Sequence, residues 1–225
     1  MSRETAMRRQ GLEELAGSLR ADAEASAVSR FVDLAERGRA GRAEVGRFLV
    51  AERAAQVSEC TAFSLLASRF PDGAAARFFL GLASGVEGAR ARLTEAARSM
   101  DVTLAESPAG ELGAEGHAFC GYLCWLALRA SQAGAALAIY ADFVAWCGAC
   151  ARVASALRTQ GDSPDTVVNY FAGYAQVPED LLGAAVAVAR DGLDHGEDLA
   201  RAEAEARLVL GYLRLFWDAA ASPAG

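Results

Sequence analysis

The sequence predicts an all-α protein folded as one helical domain, and three observations carry that prediction. Ala, Leu, Arg and Glu, all strong helix formers, dominate the composition, and only 5 of the 225 residues are proline. Apolar residues recur with a helical period from end to end, and no run alternates as a half-buried strand does. No Ser-, Gly- or Pro-rich linker divides the chain, so residues 1–225 are expected to form a single domain, with about 1–25 and 221–225 peripheral.

The elements follow in order. Residues 10–25 read as a first helix and 26–37 as a short second one. A long helix spans 42–68, with Phe48, Leu49, Ala55 and Cys60 on its apolar side, and the Pro71-Asp72-Gly73 turn ends it. Another covers about 74–100, before a break at Ser107-Pro108-Ala109-Gly110. Residues 114–132 and 134–159 form two strongly apolar helices. Gly161-Asp162-Ser163-Pro164 then breaks the chain, with Ser163 placed to cap and Pro164 at the first helical position. Pro178 begins another helix. The last spans 197–220, with Leu208, Tyr212 and Leu215 at i, i+4 and i+7 as its core-facing stripe.

Charge and chemistry narrow the function classes. All 22 basic residues are arginine, so no lysine is present to form a Schiff base; pyridoxal-phosphate and class I aldolase mechanisms are excluded. A net charge of −7, with arginines interspersed among carboxylates, argues against nucleic acid as a partner. The polar N-terminus has no apolar signal region behind it. The low-charge stretch Ala133 to Ala151 is interrupted by Asp142 and reads as a buried core helix, so no membrane partner is expected. Five cysteines, an odd number, fit reduced thiols in a cytoplasm. No P-loop, dinucleotide glycine fingerprint or Gly-x-Ser-x-Gly elbow occurs.

Three segments resemble the thiaminase II (TenA-like) family, over roughly residues 28–220. They are Phe31-Val32 with Arg47-Phe48-Leu49-Val50-Ala51-Glu52, then Tyr170-Phe171-Ala172-Gly173-Tyr174, and finally Leu213-Arg214-Leu215-Phe216-Trp217-Asp218-Ala219-Ala220. The last is similar to the family's closing E-x-x-F-W-D-M-A motif. The resemblance implies a heme-oxygenase-like helical bundle around a central pocket, assembled as a homo-oligomer (dimer or tetramer) with a small-molecule substrate. Family members hydrolyse an aminopyrimidine or cleave thiamin with a cysteine nucleophile supported by glutamate, aspartate and tyrosines. Here the pocket aspartate falls on Glu52, a family tyrosine on Ala55, another on Phe119 with Tyr122 one turn away, and Tyr174 is retained. The glutamate paired with the nucleophile falls on Leu213. The nucleophile itself aligns to Asp142, Trp146 or Cys147, depending on the anchor used.

Asp142 is the sole charge in its apolar stretch, and a buried carboxylate must be paired or hold a raised pKa. It is either a general acid–base or half of a structural pair with Arg152 or Arg53. Glu52 is either a second cavity carboxylate or a solvated partner of Arg53 or Arg47. With Tyr174 these form the candidate catalytic set, while Trp146, Tyr122, Phe119, Tyr170, Leu213, Phe216 and Cys147 are the candidate substrate contacts. Cys147-Gly-Ala-Cys150 and the pair Cys120 and Cys124 read as buried thiols filling helix contacts rather than a zinc site. No histidine lies on the N-terminal helix, where the related heme oxygenases carry their heme ligand, and two histidines, His117 and His195, are too few for a di-iron centre, so no metal or other cofactor is expected. The reading that follows is a cofactor-independent acid–base enzyme acting on a small aromatic amine or heterocycle, such as a Pictet–Spengler-type condensation. The alternatives are thiaminase II-like hydrolysis through Cys147 and a non-catalytic small-molecule binder.

Overall fold

The computed structural model describes residues 3–105 and 113–221, and among these the chain is all-α with no strand. The helices are α1 (Arg3–Ser26), α2 (Arg30–Glu36), α3 (Arg42–Arg69), α4 (Gly73–Ser99), α5 (Gly113–Arg129), α6 (Gln132–Gln160), α7 (Asp165–Ala172), α8 (Glu179–Asp194) and α9 (Leu199–Ala221). Most breaks fall where the Gly and Pro signals put them; the Ser107–Gly110 break lies outside the described residues. Pro164 sits at the N-cap, one position earlier than expected, and its carbonyl accepts the Val167 and Val168 amides at 2.9 and 3.2 Å. Gly161 closes α6 with φ +75°, a conformation that suits glycine.

The apolar helix α6 is the axis of the bundle. It packs against α1, α2, α7, α8 and α9, while α3 packs on α4, α5 and α9. By length and composition α6 would span a membrane, but 78% of its apolar window is buried inside the bundle. The first helix is no peripheral appendage: Leu12, Leu19 and Ala23 are fully buried, because their spacing lays one face of α1 on α6 and α9. On α9 the stripe differs from the expected one. Leu208 is 45% and Tyr212 36% exposed, and the core face is Ala202, Ala206, Val209, Leu213, Phe216 and Ala220. Both faces of α9 are apolar with the same spacing, so the period alone does not choose between them.

Burying the N-terminus of α6 requires partners for its orphan amides. Glu197 takes the Gln132 and Ala133 amides at 2.8 and 2.7 Å, and the Ser131 hydroxyl takes that of Gly134 at 3.0 Å. Glu205 accepts from the amide and hydroxyl of Ser131 at 2.9 and 2.6 Å, and from Arg201 at 2.8 Å. Carboxylates at this end also favour the helix dipole. Two glycines make room for them. A Cβ at Gly134 would collide with the Glu205 carboxylate, and one at Gly192 would lie 3.1 Å from the Ala133 nitrogen and collide with Glu197. Gly134→Ala is therefore expected to destabilise the fold by about 1–3 kcal/mol, the usual range for overpacking. Urea denaturation measures it, and an unchanged midpoint would contradict this account of the cap.

The closing Phe216-Trp217-Asp218 segment has a clear structural job. Trp217 stacks on Phe48 and meets Trp146 at a tilt, with centroids 4.9 Å from each, and Phe216 meets Phe48 edge-on at 5.8 Å. Asp218 accepts the Arg30 amide at 2.7 Å and so starts α2, which Ser29 caps through Val32.

Candidate functional site

A cavity of about 310 Å³ lies where α3 and α4 stand apart from α6, closed at one end by the α7–α8 connection. From α3 come Glu52, Gln56, Glu59 and Phe63, spaced i, i+4, i+7 and i+11, so one helical stripe faces the space. From α4 come Gly81, Leu82, Gly85, Val86, Ala89 and Arg92. Asp142, Phe143, Trp146 and Cys147 face them from α6, and Gly173, Tyr174, Gln176, Pro178 and Leu181 complete the wall. Gly81 and Gly85 are also exposed on the outer surface, which places the mouth of the cavity beside them.

Five of the residues singled out from the sequence meet here: Glu52, Asp142, Tyr174, Trp146 and Cys147. Tyr170 is fully buried just behind the wall and donates its hydroxyl to Glu52 Oε1 at 2.7 Å. Phe119 and Phe216 belong to the aromatic core, 5.8 Å apart. Tyr122 donates to the Glu205 carbonyl at 3.2 Å and lines a separate surface groove with Trp125, Leu208 and Tyr212. Leu213 lines a gap of about 10 Å³ beside the α1–α2 connection, too small for a ligand. Gln56, Glu59 and Arg92 are cavity residues that the sequence reading did not single out.

Neither surface pairing expected for the carboxylates occurs. Arg152 is bonded to Glu36 at 2.7 Å and Arg47 to Glu44 at 2.9 Å. Glu52 is only 5% exposed, and its Oε1 accepts from both Tyr170 and, at 3.0 Å, Gln56 Nε2. Asp142 Oδ1 is buried with no donor among the described residues. Glu59 and Asp142 are part-exposed, and what they are exposed to is the cavity.

Three carboxylates around one space hold each other in check. Burial pushes Glu52 well above the ordinary carboxylate range, the nearby Glu59 charge adds to the effect, and the Tyr170 and Gln56 bonds oppose it. Burial raises Glu59 to about 7. Burial and the Glu59 charge raise Asp142 strongly. Arg92, the only cation among the lining residues described, sits 5.6 Å from the Tyr174 ring centroid and 3.5 Å from its hydroxyl. Burial, then Glu52, lift the Tyr174 hydroxyl to about 12. Burial, then Asp142, do the same to the Cys147 thiol, again to about 12.

These values define what the site can do. Carboxyl groups that carry protons near neutral pH donate and accept them. Once ionised they attract a cation, and the Trp146 and Tyr174 rings favour the same charge. Cys147 stays a neutral thiol and a poor nucleophile. All five cysteines are free, and among the described residues no group of three or more His, Cys, Asp or Glu is placed to hold a metal ion. No protein-family model matches the chain, and no curated protein matches it.

Proposed function

We propose that this chain is a TenA-like protein of heme-oxygenase-like fold whose cavity performs cofactor-independent acid–base chemistry on a small aromatic amine or heterocycle. One observation carries the reading: Glu52, Glu59 and Asp142 line a single aromatic-walled cavity with only Arg92 to balance them among the residues described. Buried like charges are costly, and carboxyl groups perturbed in this way cluster at functional sites. The volume of about 310 Å³ suits one flat ring with a short substituent.

In a condensation of the Pictet–Spengler type, an amine adds to an aldehyde to give a carbinolamine. Asp142, whose burial beside the Glu59 charge favours the protonated form, gives its proton to the departing hydroxyl; water leaves and an iminium cation remains. The ionised carboxylates and the rings of Trp146 and Tyr174 stabilise that cation. The substrate's ring carbon then attacks, forming the C–C bond, and the Asp142 carboxylate takes the proton that the ring carbon releases. Glu52, fixed by Tyr170 and Gln56, stays an acceptor and orients the amine.

The test is a mass-spectrometric screen of the purified protein with aromatic amines and aldehydes, and separately with thiamin and an aminomethyl-pyrimidine. Turnover in the first set, cut about 100-fold or more by Asp142→Asn and left within about twofold by Cys147→Ala, is the expected outcome. Turnover indifferent to Asp142→Asn would overturn the assignment. Hydrolysis of thiamin or the pyrimidine that vanishes in Cys147→Ala would instead establish the thiol reading, which the raised thiol pKa disfavours.

A further inference from the structure

Gln56 is buried at 1% exposure, faces the cavity between Glu52 and Glu59, and serves neither of them as a charge partner. Its amide orientation is dictated by its neighbours. Nε2 donates to Glu52 Oε1 at 3.0 Å and lies 3.3 Å from the Tyr170 hydroxyl oxygen. Turning the amide over would set its carbonyl oxygen against the Tyr170 oxygen, whose proton is already given to Glu52. Oε1 is thereby left as a buried acceptor with no donor among the described residues, the same condition as Asp142 Oδ1 on the α6 side of the same cavity. Buried acceptors are nearly always satisfied, so two in one cavity call for donors that arrive with a ligand.

We propose that Gln56 makes this cavity selective for a cationic nitrogen that still carries N–H bonds, a primary or secondary ammonium, over a fully substituted cation. The inference rests on reading the cavity as an amine site and states which amines it takes. Carboxylates and aromatic rings attract any cation, a quaternary one included. A carboxamide oxygen carries no net charge, and its use in a buried site is to accept a hydrogen bond. Satisfying that oxygen takes an N–H donor, which a quaternary ammonium or a thiazolium ring does not supply.

The experiment is calorimetric titration of the full chain at pH 8 with four probes. These are 2-phenylethylamine, its N,N-dimethyl and N,N,N-trimethyl forms, and 2-phenylethanol. The primary amine is expected to bind at least about tenfold tighter than the trimethyl cation, with the dimethyl form between them. In Gln56→Leu the ratio collapses because the primary amine weakens while the trimethyl cation does not. Leucine keeps the bulk of the side chain, so a mere size filter would leave the ratio as it was, and that result would overturn the proposal. Gln56→Met serves the same comparison if the leucine variant does not fold. Equal binding of the primary and trimethyl cations by the unmodified protein, both tighter than the alcohol, sinks the selectivity and spares the amine site. An alcohol that binds as well as the cations, or no binding by any probe, sinks the amine site itself.

Discussion

Glu205→Ala is expected to cost about 2–4 kcal/mol of stability, the sum of a buried amide left without its acceptor and a weakened helix cap. Glu205 is 7% exposed, and its carboxylate joins the amide and hydroxyl of Ser131 before α6 to Arg201 on its own helix, while its backbone carbonyl, which the substitution leaves in place, accepts from Tyr122 of α5. Removing the carboxylate leaves the Ser131 amide buried without an acceptor and frees Ser131 from the position in which it caps Gly134. For a chain of this length the melting temperature should fall by roughly 5–15 °C. Arg201→Ala should cost far less, since Arg201 is mostly exposed and its pair is screened by solvent. Thermal denaturation of both variants checks the claim; equal losses, or a Glu205→Ala loss under about 1 kcal/mol, would show that the cap is dispensable.

Nothing in the sequence marks Glu205 for this role, and the reason bears on what can be read from one chain. It stands in Arg201-Ala-Glu203-Ala-Glu205-Ala-Arg207, where every charge looks like a solvated helix face. Only the close approach that Gly134 permits turns that face inward. Asp142, by contrast, was legible because its surroundings are apolar for many residues on either side, and a charge in such a run has to be explained. Glu59 lies in a helix with Arg53 and Arg69 and so had no such contrast, although Glu52, Gln56, Glu59 and Phe63 form one stripe at helical spacing. The aromatics divide for a related reason. Trp146 and Tyr174 face the cavity while Phe119 and Phe216 fill the core, and residue type is the same signal in both places. The all-α class and most helix ends were legible because they rest on local chemistry: Gly73, Gly161, Pro164 and Pro178 all stand at or beside a helix terminus. The packing face of α9 was not, since it depends on which of two apolar stripes finds a partner.

The carboxylate cluster should make stability fall as pH rises through the neutral range, and Glu59→Gln should remove much of that fall. In the unfolded chain Glu59 loses its proton near 4.5; in the fold it keeps it to about 7. Between those values the native state binds more protons than the unfolded state, so stability is greatest below 4.5, declines up to about 7 and is level beyond. Glu52 and Asp142 are raised by burial too, with the Glu59 charge adding to it, and extend the decline in the same direction. Surface carboxylates oppose it: Glu36 and Glu179 are held low by Arg152 and Arg20, and their contribution is present above the ordinary value and lost in acid. Comparing two proteins that share these surface pairs cancels them. Glu59→Gln removes one charge from the cavity and also eases the ionisation of Glu52 and Asp142. Relative to the unmodified chain it should gain roughly 2–3 kcal/mol between pH 5 and 8, read as a melting temperature higher by about 4–10 °C at pH 8 and little changed at pH 5. A variant whose advantage is the same at both pH values would mean that the gain does not come from the titration of Glu59, and this account of the pH dependence would fail. An advantage confined to high pH means that the fold itself holds a charge it would be more stable without, as expected of a residue kept for binding or proton transfer rather than for packing.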